Sequence, residues 1–363
     1  MKCTRIAYEN FRNISFADIR PDEAVNIFYG NNAEGKTNAL EGIYLMAQGR
    51  SFRAAREREM IRFGESGAVI HIEYTDAHGK QVSEMRLYAN GKRVCRKNGV
   101  PVSRLSAFIG SFRAVIFYPG YLSIVRDGPS ERRSFLDMAI SQLNPLYLAA
   151  LQRYNRILGQ RNALIRQAAF GADIGDTVSM WSEKLAQEAA YIAAERQKYV
   201  SRLEEQVKII FSDMTGGREI PRVEYHDGHT EEEYRALLQN NLAREIKSGI
   251  TLYGTHRDDV NLMLNDREAR RYASQGQQRS LALAMKLSEG EISCAETGEY
   301  PVYLLDDVFS EIDAERRQYL LCGFGNRQII ITSCDAKPGI GTCFHVQNGS
   351  YQKETNPGND AVP

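Results

Sequence analysis

The stretch Gly30-Asn31-Asn32-Ala33-Glu34-Gly35-Lys36-Thr37 fits the pattern Gly-x4-Gly-Lys-[Ser/Thr] in full. Glycines at the two ends of such a loop let the backbone wrap until successive N–H groups point inward at phosphate oxygens. Lys36 then reaches the β and γ phosphates of a nucleotide, and the Thr37 hydroxyl is placed to ligate Mg²⁺. The flanks agree. Val25-Asn26-Ile27-Phe28-Tyr29 reads as a strand, and Asn38 opens a segment with helical spacing at Leu40, Ile43, Tyr44 and Ala47. A strand–loop–helix aims the helix dipole at the anion. The chain therefore needs an α/β fold with that strand inside a sheet.

A second half of the site lies far downstream. Val302-Tyr303-Leu304-Leu305 is a buried-strand run that ends in Asp306-Asp307. A carboxylate at the tip of a parallel strand can hold the Mg²⁺ shell, and its neighbour can orient or deprotonate an attacking water. A third element, Ser274-Gln275-Gly276-Gln277-Gln278, stands just before a helical run from Leu281 to Ile292. A serine and a glycine backbone at a helix start make another anion site. One nucleotide does not need two such sites from one subunit. Either Ser274 is a plain helix cap, or its loop covers the γ-phosphate held by a second copy.

Composition narrows the class. The 363 residues carry 46 basic and 46 acidic side chains with 43% hydrophobic content, as in an ordinary globular protein. No apolar run approaches the ~18 residues of a membrane span, and Met1-Lys2-Cys3-Thr4-Arg5 opens no signal-peptide core. A cytoplasmic protein is expected. The six cysteines form no Cys-x-x-Cys and read as free structural thiols. His226 and His229 sit in a turn-rich acidic stretch and read as a solvated loop. The neutral total hides a basic third: from Arg86 to Arg166 there are 14 Lys/Arg and three acids. Such a stretch can form a polyanion-binding face, or its charges can be balanced by acids brought close in the fold.

Short strands and the turn signals His78-Gly79, Asn90-Gly91 and Asn98-Gly99 fill the first part of the chain. From about Pro129 the texture turns helical. Trp181, Leu185, Ala189, Ile192, Tyr199, Leu203 and Ile210 predict a helix from Val178 to Met214, roughly 55 Å long, stopping at Thr215-Gly216-Gly217. Core packing is the favoured reading of its apolar stripe over a coiled-coil arm. The expected organisation is residues 1–128 and 250–353 forming one α/β head, 129–249 an inserted, mainly helical arm, and 354–363 a disordered tail.

The three elements, in this order, resemble the ATP-binding-cassette heads of the chromosome-maintenance group and, within it, the RecF family of bacterial recombination mediators. Further stretches carry the resemblance: Gly49-Arg50-Ser51-Phe52-Arg53, Gly128-Pro129-Ser130-Glu131-Arg132-Arg133-Ser134-Phe135-Leu136-Asp137, Gly254-Thr255-His256-Arg257-Asp258-Asp259 and Leu304-Leu305-Asp306-Asp307-Val308-Phe309-Ser310-Glu311-Ile312-Asp313. The resemblance implies an ABC-type ATPase head with a mixed sheet. Nucleotide is held by Gly30 to Thr37 and Asn38, and Mg²⁺ by Thr37 and Asp306. Asp307 stands where transporter cassettes have their catalytic Glu, and its shorter side chain implies slow hydrolysis. Ser274, Gln275, Gly276 and Gln277 would complete the partner's site in an ATP-dependent homodimer, with Ser310 to Asp313 as a dimer-contact loop. Arg50, Arg53, Arg56, Arg93, Arg132 and Arg133 are expected to face DNA, duplex or single-strand/duplex junction. RecR and RecO are the implied partners in loading the RecA recombinase, with no membrane involved. Departures are Thr255, where the family has Pro, and Pro119-Gly120, where it has Pro-Glu. Ser333-Cys334-Asp335 offers no His, so no residue is assigned to sense the γ-phosphate. The alternatives are a metabolic P-loop kinase, with no use for Ser274, and a transport-type ATPase subunit.

Overall fold

The computed structural model describes residues 1–54, 56–308, 317, 319–320, 325, 327–335 and 341–354. The expected dimer-contact loop Ser310 to Asp313 and the tail beyond Glu354 lie outside these residues. The chain divides into two compact units, Met1–Tyr121 with Glu289–Pro363, and Leu122–Ser288. The second unit thus starts a few residues before the expected boundary at 128 and runs well past 249.

The first unit opens with strands β1 (Lys2–Phe11), β2 (Ile14–Ile19) and β3 (Val25–Tyr29), then helix α1 (Lys36–Gln48). Strands β4 (Gly67–Asp76), β5 (Gly79–Tyr88), β6 (Arg93–Lys97) and β7 (Val100–Val102) follow, then the short α2 (Leu105–Phe108) and β8 (Ala114–Phe117). Strands β2-β1-β4-β5-β6-β7 make one antiparallel sheet. Burial alternates along β4, as one buried face requires. Asn98 and Gly99, with φ of 49° and 78°, form the two-residue turn between β6 and β7. Positive φ at both positions is what a type I′ hairpin demands, so the Asn-Gly signal was physical.

The second unit is largely helical: α3 (Ser123–Arg126), α4 (Pro129–Leu143), α5 (Pro145–Ala168) and the 41-residue α6 (Gly175–Thr215). Gly216, at φ 68°, stops α6 where the Gly-Gly signal falls. The apolar stripe of α6 packs on α5 and on the later strand β9 (Pro221–His226) and α7 (Glu231–Asn240). The helix is therefore a wall of this unit's core. After α8 (Leu242–Ser248), β10 (Asp259–Leu264) pairs with β9 and with β11 (Arg267–Glu268). Helices α9 (Ala269–Tyr272) and α10 (Gln275–Thr297) follow.

Arg196 interrupts the apolar stripe of α6 for a structural reason. It is 2% exposed and donates to Thr255 O at 2.7 Å, Asp137 Oδ1 at 2.9 Å and Tyr147 Oη at 3.1 Å. Asp258, 1% exposed, faces Arg196 at 3.4 Å and accepts from Tyr225. The box around His256 and Asp258 is part of a buried polar cluster in this unit. Arg257 alone of the three is exposed.

The chain then supplies the rest of the first unit: β12 (Val302–Asp306), β13 (Ile329–Ser333), β14 (Thr342–Gln347) and β15 (Ser350–Lys353). The order β15-β14-β3-β13-β12-β8 is parallel from β14 to β8, with β15 antiparallel at the edge. Strands β12 and β8 are buried at every position, which explains their unbroken apolar runs. Gln328 ties this sheet to the first. Its carboxamide accepts from Cys3 N at 2.6 Å and donates to Cys3 O at 2.8 Å, standing in for a strand partner.

Candidate functional site

The phosphate loop joins β3 to α1, and its backbone takes conformations that favour glycine. Gly30 has φ 149°, and a Cβ there would sit 2.3 Å from Val346 O. Gly35 has φ 118° and precedes the first turn of α1. The Lys36 ammonium turns back onto the loop, donating to Gly30 O and to Asn31 O at 2.7 Å. Those carbonyls hold a cation at the place a triphosphate would otherwise neutralise it. Thr37 Oγ1 donates to Asp306 Oδ1 at 2.7 Å across 269 residues of sequence. Parallel pairing of β3 with β13, and of β13 with β12, brings the two together.

Asp306 is 6% exposed. Burial pushes its pKa up, against the lowering effect of the Thr37 and Thr332 hydroxyls. Thr332 Oγ1 donates to Asp306 at 2.9 Å and accepts from Asp307 N at 2.9 Å. Asp307 is exposed and left-handed at φ 52°, a conformation that aspartate tolerates better than most residues. A cavity of about 320 Å³ gathers these groups, lined by Lys36, Thr37, Arg53, Asp307, Thr332 and Cys334 among others. Thr37 and Asp306 offer only oxygen donors, and a buried carboxylate gains from a cation, so the pair fits Mg²⁺. Among the described residues no three His, Cys, Asp or Glu cluster as metal ligands, so such an ion would need phosphate oxygens and water as well.

Sequence reasoning missed the brace behind the loop. The β14–β15 turn docks on it: Gly349 N donates to Glu34 O at 2.8 Å, Asn348 N to the Glu34 carboxylate, and Tyr351 Oη to Gly35 O at 2.9 Å. Glu34 is thus turned to the hairpin. Asn13, in the β1–β2 turn, donates to Ala33 O at 3.2 Å and accepts from Asn38 at 2.8 Å. The box after α1 has a role too. Ser51 Oγ donates to the buried Glu41 and accepts from the backbone N–H groups of Arg53 and Ala54. This fixes the turn that sets Arg53 at the cavity, where it donates to Asn38 Oδ1 at 3.1 Å.

In the second unit, Ser274 caps α10. Its Oγ accepts from Gln277 N at 3.3 Å, Gln277 Oε1 accepts from Ser274 N at 2.6 Å, and Gln277 donates to Glu219. Ser274 and Gln275 are exposed.

The six arginines offered to DNA divide. Arg50, Arg53 and Arg56 are exposed. Arg93 donates to Gly49 O at 2.5 Å and pairs with Glu57. Arg132, its side chain 8% exposed, grips Asp259 with two donors at 2.8 and 2.9 Å. Arg133 donates to Asp258 O at 2.8 Å. These last three act as internal ties in this structure. Their acceptors were invisible to a count along the chain, since Asp259 lies 127 residues from Arg132.

The sequence matches the RecF/RecN/SMC N terminal domain family over residues 2–338. It is 38% identical over 345 residues to the DNA replication and repair protein RecF of Acetivibrio thermocellus, covering 92% of this chain and 94% of that one. The chain belongs to the RecF family. A solved structure of the recombination mediator protein RecF with ATP, from the RecFOR pathway, superposes with a TM-score of 0.92 at 33% identity, covering 98% of each chain. The Smc head domain of Pyrococcus furiosus shares the fold, with a TM-score of 0.58 at 13% identity over 97% of this chain and 96% of that one. RecF membership sets aside the metabolic kinase and the transport subunit. It also agrees with a chain in which, among the described residues, no helix is long and apolar enough to cross a membrane.

Proposed function

We propose that the chain is an ATP-gated DNA-binding protein of recombinational and replication-gap repair, working in the cytoplasm. The observation that carries this is the Thr37–Asp306 hydrogen bond beside Lys36. It joins a phosphate loop to a strand-tip carboxylate beside the cavity that Lys36, Thr37 and Asp307 line, in a chain of the RecF family. The relative with ATP bound supports ATP as the nucleotide.

On binding, Lys36 leaves the Gly30 and Asn31 carbonyls for the phosphates, and the loop N–H groups take the remaining oxygens. Thr37 and Asp306 would hold Mg²⁺, which would supply charge neutralisation for the β and γ phosphates. Asp307 positions the attacking water. Its side chain is one methylene shorter than glutamate, so turnover is slow and hydrolysis serves as a release switch. The start of α10, exposed at Ser274 and Gln275, closes over the nucleotide of a second copy, making the homodimer ATP-dependent. The dimer clamps duplex DNA beside a single-strand gap, with Arg50 and Arg56 among its phosphate contacts, and acts with RecR and RecO to load RecA.

The test is light scattering with and without Mg-ATP. The parent should be monomeric alone and dimeric with nucleotide, and Ser274→Arg should bind ATP but stay monomeric. A dimer indifferent to nucleotide, or a Ser274→Arg variant that dimerises normally, refutes the reading.

A further inference from the structure

Strand β13 runs Ile329-Ile330-Ile331-Thr332-Ser333, three apolar residues and then a hydroxyl. It lies between β3 and β12, with Thr332 the register partner of Phe28 on one side and of Asp306 on the other. Thr332 is 3% exposed. A valine has almost the same shape and suits a strand equally well. Packing therefore gives no reason for the hydroxyl, and burying one is costly unless its hydrogen-bonding capacity is used.

That capacity is used, as donor and as acceptor, on two consecutive residues. Thr332 Oγ1 donates to Asp306 Oδ1 at 2.9 Å and accepts from Asp307 N at 2.9 Å. One atom thus ties the carboxylate placed to hold Mg²⁺ to the backbone of the carboxylate placed to direct water. Asp307 stands just past the end of β12, where the backbone turns out of strand geometry to φ 52°. A bond to its N–H at that point bears on where its side chain is aimed. Thr37 Oγ1 also donates to Asp306 Oδ1, at 2.7 Å, but Thr37 belongs to the helix that follows the nucleotide loop. Thr332 belongs to the sheet, and so holds Asp306 from a second element.

We propose that Thr332 is a positioning residue for ATP hydrolysis, its hydroxyl setting the Asp306 carboxylate and the turn that carries Asp307 as one unit. The inference rests on the reading of Gly30–Thr37, Asp306 and Asp307 as an ATP site, and adds the group that keeps the two aspartates in register. Thr332 lines the same cavity, but its hydroxyl is engaged by both aspartates and acts through them.

The experiment compares Thr332→Val, which removes the hydroxyl, with Thr332→Ser, which keeps it, in the full-length chain. Loss of a bond that orients a metal-holding carboxylate should lower kcat at saturating Mg-ATP by about 10- to 100-fold. ATP affinity in EDTA, measured by calorimetry, should stay within about twofold, because Lys36 and the loop N–H groups are untouched. The gain in ATP affinity that Mg²⁺ brings to the parent should shrink in Thr332→Val. Serine offers the same donor and acceptor, so Thr332→Ser should keep kcat within about threefold of the parent. An unchanged kcat or an unchanged Mg²⁺ gain in Thr332→Val overturns the proposal, as does a Thr332→Ser variant equally slow. So does a fall in EDTA affinity as large as the fall in kcat, which would assign the residue to the packing of the sheet. Failure of the parent chain to bind ATP would sink the phosphate-site reading, a different result from any of these.

Discussion

Replacing Arg161 with methionine would isolate one buried charge in the second unit. Arg161 and Glu245 are both 0% exposed and meet at 2.6 Å. Arg161 also donates to Ser182 Oγ at 2.9 Å and Thr251 Oγ1 at 2.8 Å, and Glu245 Oε1 accepts from Leu252 N at 2.8 Å. Every strong contact is therefore made inside the protein. Removing the guanidinium leaves a carboxylate with no counter-charge at the contact and no water to replace it, at a cost of about 3–5 kcal/mol. Adding Glu245→Gln removes the stranded charge while keeping an oxygen for Leu252 N. The double variant should recover about 2 kcal/mol of the loss. Urea unfolding followed by the fluorescence of Trp181, the chain's single tryptophan and the neighbour of Ser182, reads both. A double variant as unstable as Arg161→Met would refute the charge argument and leave lost packing as the cause.

Two further outcomes follow from the site and the buried cluster. Asp307→Asn should abolish ATP turnover in single-cycle kinetics while leaving ATP-dependent dimerisation intact, whereas unchanged turnover would remove Asp307 from the chemistry. His256 carries its proton on Nε2, 3.1 Å from Thr251 O, while Nδ1 accepts from Tyr154 at 2.6 Å. Burial pushes its pKa from 6.5 down to about 4. Between those values the unfolded chain binds a proton that the folded chain does not, so this group's contribution falls as pH drops from 6.5 to 4. Asp258, pushed up from 3.8 to about 6 by burial, acts in the opposite sense between those values. His256→Gln removes only the first effect, so its stability should fall less than the parent's on acidification through that window. An equal or larger fall in urea titrations at successive pH values would contradict the assignment.

The strand–loop–helix around Gly30–Thr37, the strand ending in Asp306 and the Asn98-Gly99 turn were legible because their signals are local: fixed glycine spacing, an unbroken apolar run, and a dipeptide that accepts positive φ. The long helix was legible from its period and its Gly-Gly stop. What the sequence concealed depends on distance along the chain. Tyr351 and the 348–349 turn brace the loop from more than 300 residues away, and nothing in their own neighbourhood signals it. Counting charges along the chain misses pairings for a related reason. Arg132 and Arg161 swell the basic stretch on paper, yet Asp259 and Glu245 neutralise them inside the fold. The role of Ser51 became clear only with Glu41 beside it.

The central claim is that ATP gates DNA binding, and one titration tests it most directly. Binding to a gapped duplex would be measured with and without Mg-ATP across a range of salt concentration. The account predicts tight binding only with ATP, weakening steeply as salt rises because phosphate contacts release counterions. Binding of equal strength without nucleotide, or none under either condition, would contradict it.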